Sequence, residues 1–468
     1  MLIGAYGTGK TILALQVAFQ WAQDGQNVLY FTGYSESHDK LISHNRSFPF
    51  FVMDRVGREV QFASLTTLVE AGPGQTEEAI VAMARRQQVG LVVLDSFSGI
   101  RDFLSTDESV VHFIYSLTGK LALLGITTLV AIECDSSEVV RYPEIAVCDL
   151  IVALSRERRG SGQRRLLEVT KARGAAELAG THPFAIGNSG IQVWPRLESL
   201  PIGECAWDTG RARFGVPALD TMLDGGLTVG TTSLIAGSPG VGKTLLGLHF
   251  IMEGARREEP GLFLGFLESA VQLRAKARVF GMDLEAAEAA GTARVLVLPA
   301  RDLEADQIAA LMRDACEQHG VRRIVVDSTA ELERSVSTQE RKPGFYASLV
   351  GYLRSMGITS CVTHDIPVIV GSELDRTDTT LSILAENLML LRRVEYLGQF
   401  RQIFSVLKMR FSNYDRTIHE YAITAGRGMD VLGPAPRGAG LLSGVALPTG
   451  LPSTTGAPAG RATDVGEG

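Results

Sequence analysis

Two glycine-rich segments, residues 4–11 and 237–244, carry the clearest chemical signal in this sequence. Both fit the pattern G-x-x-x-x-G-K-[ST], whose glycines let successive backbone N–H groups turn inward around phosphate oxygens. A helix that begins at such a loop directs the positive end of its dipole to the same point. Lys10 and Lys243 would neutralise the outer phosphates of a nucleotide. The predicted nucleotide-binding residues are Gly4, Gly7, Thr8, Gly9, Lys10, Thr11, Gly237, Gly240, Val241, Gly242, Lys243 and Thr244.

Each loop is followed by an apolar run that ends in Asp-Ser, at residues 91–96 and 324–328. An aspartate after a strand often does no more than cap a turn. Downstream of a phosphate-binding loop, its carboxylate is instead expected to face a magnesium ion, directly or through water. The hydroxyl at the end of each loop supplies another hard oxygen. The predicted cofactors are therefore ATP and Mg²⁺, and the predicted metal ligands are Thr11, Asp95, Thr244 and Asp327.

The sequence contains one internal duplication. The loop lysines are 233 residues apart, and the two aspartates are 232 apart. A Glu-Ser follows the next apolar run in each copy, at Glu36 and Glu268, which are also 232 apart. A Lys-x-Arg near the end of each copy completes the series, with the residues Lys171, Arg173, Lys408 and Arg410. Matched landmarks in one order indicate a tandem repeat.

Short strands that are apolar on both faces alternate with helices in each copy, which predicts a mostly parallel sheet covered by helices on both faces. The predicted class is α/β. The predicted domains are residues 1–200 and 206–432, followed by a Gly-, Pro- and Ala-rich tail, 433–468, that is expected to be disordered. The predicted strands are 28–31, 91–94, 129–132, 150–154 and 166–170, then 232–236, 262–266, 324–326, 360–363, 388–391 and 404–407.

The two copies differ ahead of the loop. A strand at 232–236 and a leading segment at 214–220 come before the second loop, whereas only Met1, Leu2 and Ile3 come before the first. We therefore expect the first domain to lack its leading segment and part of its first strand. A central strand of three residues is expected to leave its neighbours short of hydrogen bonds, because strands commonly run to 5–6 residues.

Composition narrows the function classes. The 468 residues carry a formal charge of −7, which argues against nucleic acid as the main ligand. The five cysteines are scattered, without a C-x-x-C pair, which fits a reducing compartment. The longest apolar runs are too short to span a bilayer, and no basic, apolar leader is visible. These features predict a cytoplasmic protein without a membrane partner.

The order of loop, Glu-Ser, Asp-Ser and Lys-x-Arg resembles the RecA superfamily. Its duplication resembles the KaiC family of circadian-clock ATPases, and the segment 214–226 is similar to the start of that family's domains. The resemblance implies two tandem RecA-like P-loop NTPase domains in a homohexameric ring, with ATP at subunit interfaces and with signalling proteins as partners. It also implies that the Lys-x-Arg residues of one subunit reach a neighbour's nucleotide.

Two departures from that family concern catalysis. Its members carry two adjacent carboxylates after the second strand, where this sequence has Ser35-Glu36 and Leu267-Glu268. Leucine cannot orient water, and serine is a far weaker base than glutamate. Either Glu36 and Glu268 take over the task or hydrolysis is slow; both glutamates could also serve only as acids at a helix N-terminus.

The family also phosphorylates its own second domain on neighbouring serine and threonine residues. Ser382 matches the family's serine, but the adjoining threonine is Ile383. Ser382 is thus a candidate phosphoacceptor for a serine/threonine autokinase activity. The alternatives to a signalling ATPase are a DNA-dependent ATPase of the recombinase or helicase type, and a scaffold that binds ATP to assemble with little turnover.

Overall fold

The computed structural model describes residues 1–33, 38–70, 72–101, 103–104, 106–135, 141–159, 162–204, 208–299, 303–366, 383–436, 438–439 and 447–448. Contacts within the chain divide it into two units, Met1–Leu200 and Pro201–Gly468.

The first unit is built on one sheet, of nine strands in the described part of the chain. Its order is β3-β2-β4-β5-β1-β6-β7-β8-β9. Strands β1 to β6 run parallel to one another, and β7 to β9 continue the sheet beyond β6 in antiparallel pairs. The strands are β1 Leu2–Gly4, β2 Asn27–Thr32, β3 Val60–Ser64, β4 Val89–Asp95, β5 Thr127–Glu133, β6 Leu150–Arg159, β7 Gly162–Ala172, β8 His182–Gly187 and β9 Gly190–Val193.

Helices connect these strands and cover the sheet. They are α1 Lys10–Gln23, α2 His38–Asn45, α3 Leu65–Val69, α4 Pro73–Arg86, α5 Ser98–Arg101 and α6 Asp107–Leu123. Apolar clusters form on both faces of the sheet, and strand β1 contributes to one on each face: Leu2 packs into the cluster around Leu15, and Ile3 into the cluster around Ile114. Alternation along a strand explains why β1 is apolar at successive positions.

The second unit repeats this topology. Its main sheet, again of nine strands within the described residues, has the order β14-β13-β15-β16-β12-β17-β18-β19-β20. The strands of this sheet are β12 Thr232–Gly237, β13 Gly261–Gly265, β14 Ala293–Val297, β15 Arg323–Asp327, β16 Thr359–Asp365, β17 Asn387–Tyr396, β18 Gln399–Met409, β19 His419–Thr424 and β20 Gly428–Pro434. Before them, β10 Arg211–Ala212 and β11 Leu227–Thr228 pair with each other in a separate sheet. The helices are α7 Pro217–Met222, α8 Lys243–Arg256, α9 Ala270–Val279, α10 Leu284–Ala289, α11 Ala305–His319, α12 Thr329–Ser335 and α13 Lys342–Ser355.

The predicted fold class, two tandem α/β units on mostly parallel sheets, is confirmed. The hairpins β8–β9 and β19–β20 were not predicted, because short strands with mixed polar composition give a weak periodic signal. The predicted tail also begins inside β20, which continues to Pro434. Farther along, the short strands β21 Gly438–Ala439 and β22 Leu447–Pro448 pair with each other.

Strand β1 is short but fully paired. All three of its residues are in parallel register with both β5 and β6. The backbone N–H of Val152 also donates to the carbonyl of Met1, at 2.9 Å. The sheet is therefore continuous across β1, but β1 pairs only with residues 131–133 of β5, whereas its counterpart β12 pairs with residues 360–365 of β16. The effect of the shorter strand on stability stays a prediction. Among the described residues, no helix is both long enough and apolar enough to cross a membrane.

Candidate nucleotide sites

The second loop joins the end of β12 to the start of α8, and its lysine is buried beneath it. Lys243 Nζ donates to the carbonyls of Gly237 and Ser238, at 2.8 and 2.9 Å. It also lies 2.8 Å from Asp365 Oδ1, at the end of the adjacent strand β16. The predicted loop residues thus form one turn around the lysine ammonium group.

Asp327 ends β15 beside the loop and accepts two hydroxyl hydrogen bonds. Thr244 Oγ1 donates to its Oδ2 at 2.7 Å, and Thr363 Oγ1 donates to its Oδ1. The predicted metal ligands of this unit, Thr244 and Asp327, are therefore in direct contact. Both line a cavity of about 550 Å³ that also includes Lys243, Glu268 and Ser328.

The loop glycines are required by the backbone and by close packing. Gly9 and Gly242 precede α1 and α8 with φ of 113° and 98°. Residues other than glycine rarely adopt such positive φ angles. A Cβ on Gly9 would lie 2.9 Å from Ile186 Cδ1, and one on Gly242 would lie 2.6 Å from Ile423 Cδ1. The unpredicted strands β8 and β19 thus support the two loops from one side.

The first loop, between β1 and α1, has the same plan. Lys10 Nζ donates to the carbonyls of Gly4 and Ala5, at 2.8 and 3.0 Å. Asp95, at the end of β4, accepts a hydrogen bond of 2.6 Å from the Tyr30 hydroxyl. Arg165 adds a contact from β7, donating to the carbonyls of Gly7 and Thr8 at 2.7 and 3.1 Å.

Burial shifts the pKa of Asp95 and of Lys10 at the first site. Desolvation raises the pKa of Asp95 above its usual value, although hydrogen bonds from Tyr30 and Thr11 oppose the rise. Desolvation lowers the pKa of Lys10, against the attraction of Glu133 and Asp95. Both shifts have the sign expected when a charged group leaves water, and phosphate and metal charges at the site would oppose them.

The structure describes only one of the two predicted catalytic glutamates, Glu268. Glu268 lines the cavity but forms an ion pair with Lys276 of α9, while Leu267 beside it is 71% exposed. Glu36 and Ser35 lie outside the described residues, as does the candidate phosphoacceptor Ser382.

The Lys-x-Arg residues do not lie at the P-loop of their own unit. Strands β7 and β18 run antiparallel, so Lys171 and Lys408 pair with Ile151 and Leu388 near the starts of β6 and β17. Each of these positions is three residues from the end of the strand that borders the loop, a distance of roughly 10 Å at about 3.3 Å per residue.

At the starts of β6 and β17, away from the loops, Lys171 Nζ donates to the Ala146 carbonyl and Lys408 Nζ to the Ala385 carbonyl, each at 2.7 Å. Arg173 and Arg410 are exposed. Arg173 pairs there with Asp149, at 3.2 Å.

Comparison with known proteins agrees with this geometry. The family model described as "ATPase: KaiC" matches residues 1–198 and 212–435, one match for each unit. The chain belongs to the KaiC ATPase family. It is 27% identical to the circadian clock oscillator protein KaiC of Picosynechococcus sp. over 442 residues, covering 91% of this chain and 84% of that protein. It is 28% identical to circadian clock protein KaiC3 of Synechocystis sp. over 469 residues, covering 96% and 90%.

Membership in the KaiC family confirms the resemblance, and it supports the predicted ATPase activity. Several polar residues of the two sites were not predicted from the sequence: Tyr30, Glu133, Arg165, Lys276, Thr363 and Asp365. Each reaches its site through strand register or helix packing, and no local motif marks it. For Glu133 and Asp365 the sequence offers only their place shortly after two of the predicted strands, 129–132 and 360–363.

Proposed function

We propose that this KaiC-family ATPase binds and hydrolyses MgATP in both units and works as a homohexameric signalling ring. The observation that carries the proposal is the convergence of Lys243, Thr244 and Asp327 on one cavity, with Lys10 and Asp95 in the matching positions of the first unit. Ser328 adds support: its buried Oγ has no hydrogen-bond partner among the described residues, and it lines the same cavity. A buried hydroxyl without a partner favours a polar ligand there.

The loop binds and orients the phosphates. Its backbone N–H groups and the helix N-terminus hold phosphate oxygens, and Lys10 or Lys243 bonds the outer phosphates. Thr11 with Asp95, and Thr244 with Asp327, would hold magnesium, since hydroxyl and carboxylate oxygens are the hard donors it prefers. Among the described residues no cluster of three or more His, Cys, Asp and Glu side chains forms a metal cage. Magnesium at ATP sites is commonly held by one or two protein oxygens together with the phosphates, and when bound it neutralises charge on them.

The Lys-x-Arg residues are proposed to act on a neighbouring subunit's nucleotide. They lie at the opposite end of the sheet from their own loop, and Arg173 and Arg410 are exposed. An arginine supplied in this way stabilises charge that develops on the transferred phosphoryl group, an effect of about 10³–10⁵ in rate. This placement supports the proposal of a ring in which ATP binding and assembly depend on each other.

A scaffold with little turnover is the second candidate, and the ion pair of Glu268 with Lys276 favours it. A carboxylate oxygen that accepts from an ammonium group is less available to orient water. Autokinase activity on Ser382 stays a prediction. Phosphosite mass spectrometry after incubation with MgATP would test it, and Ser382→Ala provides the control.

The deciding experiment counts bound nucleotide and turnover in the full chain. Lys243→Ala should remove nucleotide from the second site and leave the first occupied, and Lys10→Ala should do the converse. Arg410→Ala should keep binding but lower turnover, and sedimentation with a non-hydrolysable ATP analogue should show rings. Wild-type stoichiometry in the double lysine variant would refute the site assignment. A monomer with normal turnover would refute the action across subunits.

A further inference from the structure

Asp365 occupies a position that no sequence motif marks, beside the P-loop lysine of the second unit. It is the last residue of β16, and it lies in register with Gly237, where the loop begins. Its side chain is 35% exposed, whereas that of Lys243 is 7% exposed. The distance of 2.8 Å between Lys243 Nζ and Asp365 Oδ1 makes this a direct ion pair inside the site.

Lys243 has no donor to spare. An ammonium group has three N–H donors, and Lys243 has three acceptors within 3 Å: the carbonyls of Gly237 and Ser238, and Asp365. The two carbonyls belong to the turn of the loop, so a phosphate that needs this ammonium group displaces the carboxylate most readily. The displaced carboxylate would then lie within a few ångströms of the phosphate, where two anions repel.

That repulsion depends on how far the phosphate chain extends. A P-loop lysine contacts the β- and γ-phosphates. A diphosphate lacks the γ-group and its charge, so it meets less competition from a fixed carboxylate. We propose that Asp365 sets the preference between tri- and diphosphate at the second site, by competing with the γ-phosphate for Lys243. This inference rests on the proposed binding of ATP at that site.

The first unit offers a matched position. Glu133 ends β5 in register with Gly4, as Asp365 does with Gly237. Glu133 acts on Lys10 through its charge, and it heads the attractive influences on the pKa of that lysine. Glu133→Gln therefore removes the same type of charge from the other unit and serves as the control for effects that are not local.

The test uses the full chain with Lys10→Ala, so that the measured nucleotide binding comes from the second site. Calorimetry would measure the dissociation constants of ADP and of a non-hydrolysable ATP analogue. Asp365→Asn and Asp365→Ala should each tighten binding of the analogue about tenfold or more while changing ADP less. Asp365→Glu, which keeps the charge, should stay near the parent ratio, and Glu133→Gln should leave it unchanged.

An unchanged or lowered ratio of triphosphate to diphosphate affinity in both Asp365→Asn and Asp365→Ala would overturn the inference. Lys243→Ala in the same background separates this outcome from failure of the proposed function. If that variant still binds nucleotide like its parent, the second P-loop is not the site, whatever Asp365 does.

Discussion

The equivalent aspartates of the two units, Asp95 and Asp327, each accept a hydroxyl hydrogen bond from a flanking strand, but the strand lies on opposite sides of the aspartate in the two units. In the first, Asp95 is bonded by Tyr30 of β2, and the residue beside Asp95 in β5 is Ala131. In the second, Asp327 is bonded by Thr363 of β16. The register places Phe263 of β13 where β2 has Tyr30. Each unit therefore has a hydroxyl donor at the position where the other has an apolar side chain: Tyr30 corresponds to Phe263, and Thr363 corresponds to Ala131.

The two units therefore share an interaction, a hydroxyl hydrogen bond to the aspartate, although different residues supply it. A buried carboxylate needs a donor, and either flanking strand can supply it. The same holds where the loop helix meets the last hairpin. In the first unit, Gln16 accepts from the Ile191 N–H and donates to its carbonyl, whereas in the second His249 accepts from the Met429 N–H.

The largest expected effect comes from removing the donor to an aspartate. Tyr30→Phe should lower turnover at the first site about tenfold or more, because hydrogen bonds to charged groups contribute about 1.5–3 kcal/mol. Without this bond the pKa of Asp95, already raised by burial, should rise further. Asp95 would then ionise only at higher pH, so the acidic limb of the activity profile should move upward. The measurement is turnover against pH in a Lys243→Ala background.

A second substitution makes that test specific. Ala131→Thr, added to Tyr30→Phe, would build the arrangement of the second unit into the first and should restore much of the loss. Thr363→Ala should produce a comparable loss at the second site, measured in a Lys10→Ala background. An acidic limb that does not move in Tyr30→Phe would show that the hydroxyl has no influence on Asp95.

The next largest effect is the pH dependence of the stability of the second unit, which arises from the titration of His249. Burial, reinforced by Arg256, lowers its pKa from 6.5 to about 4. The folded state thus binds fewer protons than the unfolded state between these values. The contribution of neutral His249 is complete above pH 6.5 and is lost as the pH falls toward 4. At pH 5 the second unit should be about 2 kcal/mol less stable than at pH 7.5 on this account.

Hydrogen exchange at several pH values, followed separately in each unit of the full chain, would measure that loss. His249→Gln copies the residue of the first unit, which does not titrate in this range, and should flatten the dependence in the second unit. An equal loss on acidification in the variant would assign the effect to other groups.

Sequence reasoning predicted what is local and missed what depends on register. Lys10, Thr11, Lys243 and Thr244 follow from one octapeptide pattern, because loop and helix are contiguous. Thr363 and Asp365 lie more than 100 residues from Lys243, and only the pairing of β12 with β16 brings them to the site. Likewise, the position of Lys171 and Lys408 away from their own loops follows from antiparallel pairing, which a Lys-x-Arg motif does not reveal.

The smallest expected effect concerns Arg165, which holds the first loop from outside. By bonding the carbonyls of Gly7 and Thr8, it helps to keep the opposite, N–H side of the loop turned toward phosphate. The cross-strand pair that contains it is Arg156–Arg165, and its counterpart in the second unit is Arg393–Gln402. Arg165→Gln should weaken ATP binding at the first site about fivefold, equivalent to about 1 kcal/mol for a partly exposed contact.

Arg164 provides the matched control, because neighbouring residues of a strand point to opposite faces. Its guanidinium pairs with Glu157 rather than with the loop. Arg164→Gln removes the same charge from the same strand and should leave ATP affinity nearly unchanged, with both variants measured at equal salt in the Lys243→Ala background. If the two substitutions weaken binding equally, long-range charge accounts for the effect. A loss confined to Arg165→Gln would instead assign it to the bonds with Gly7 and Thr8.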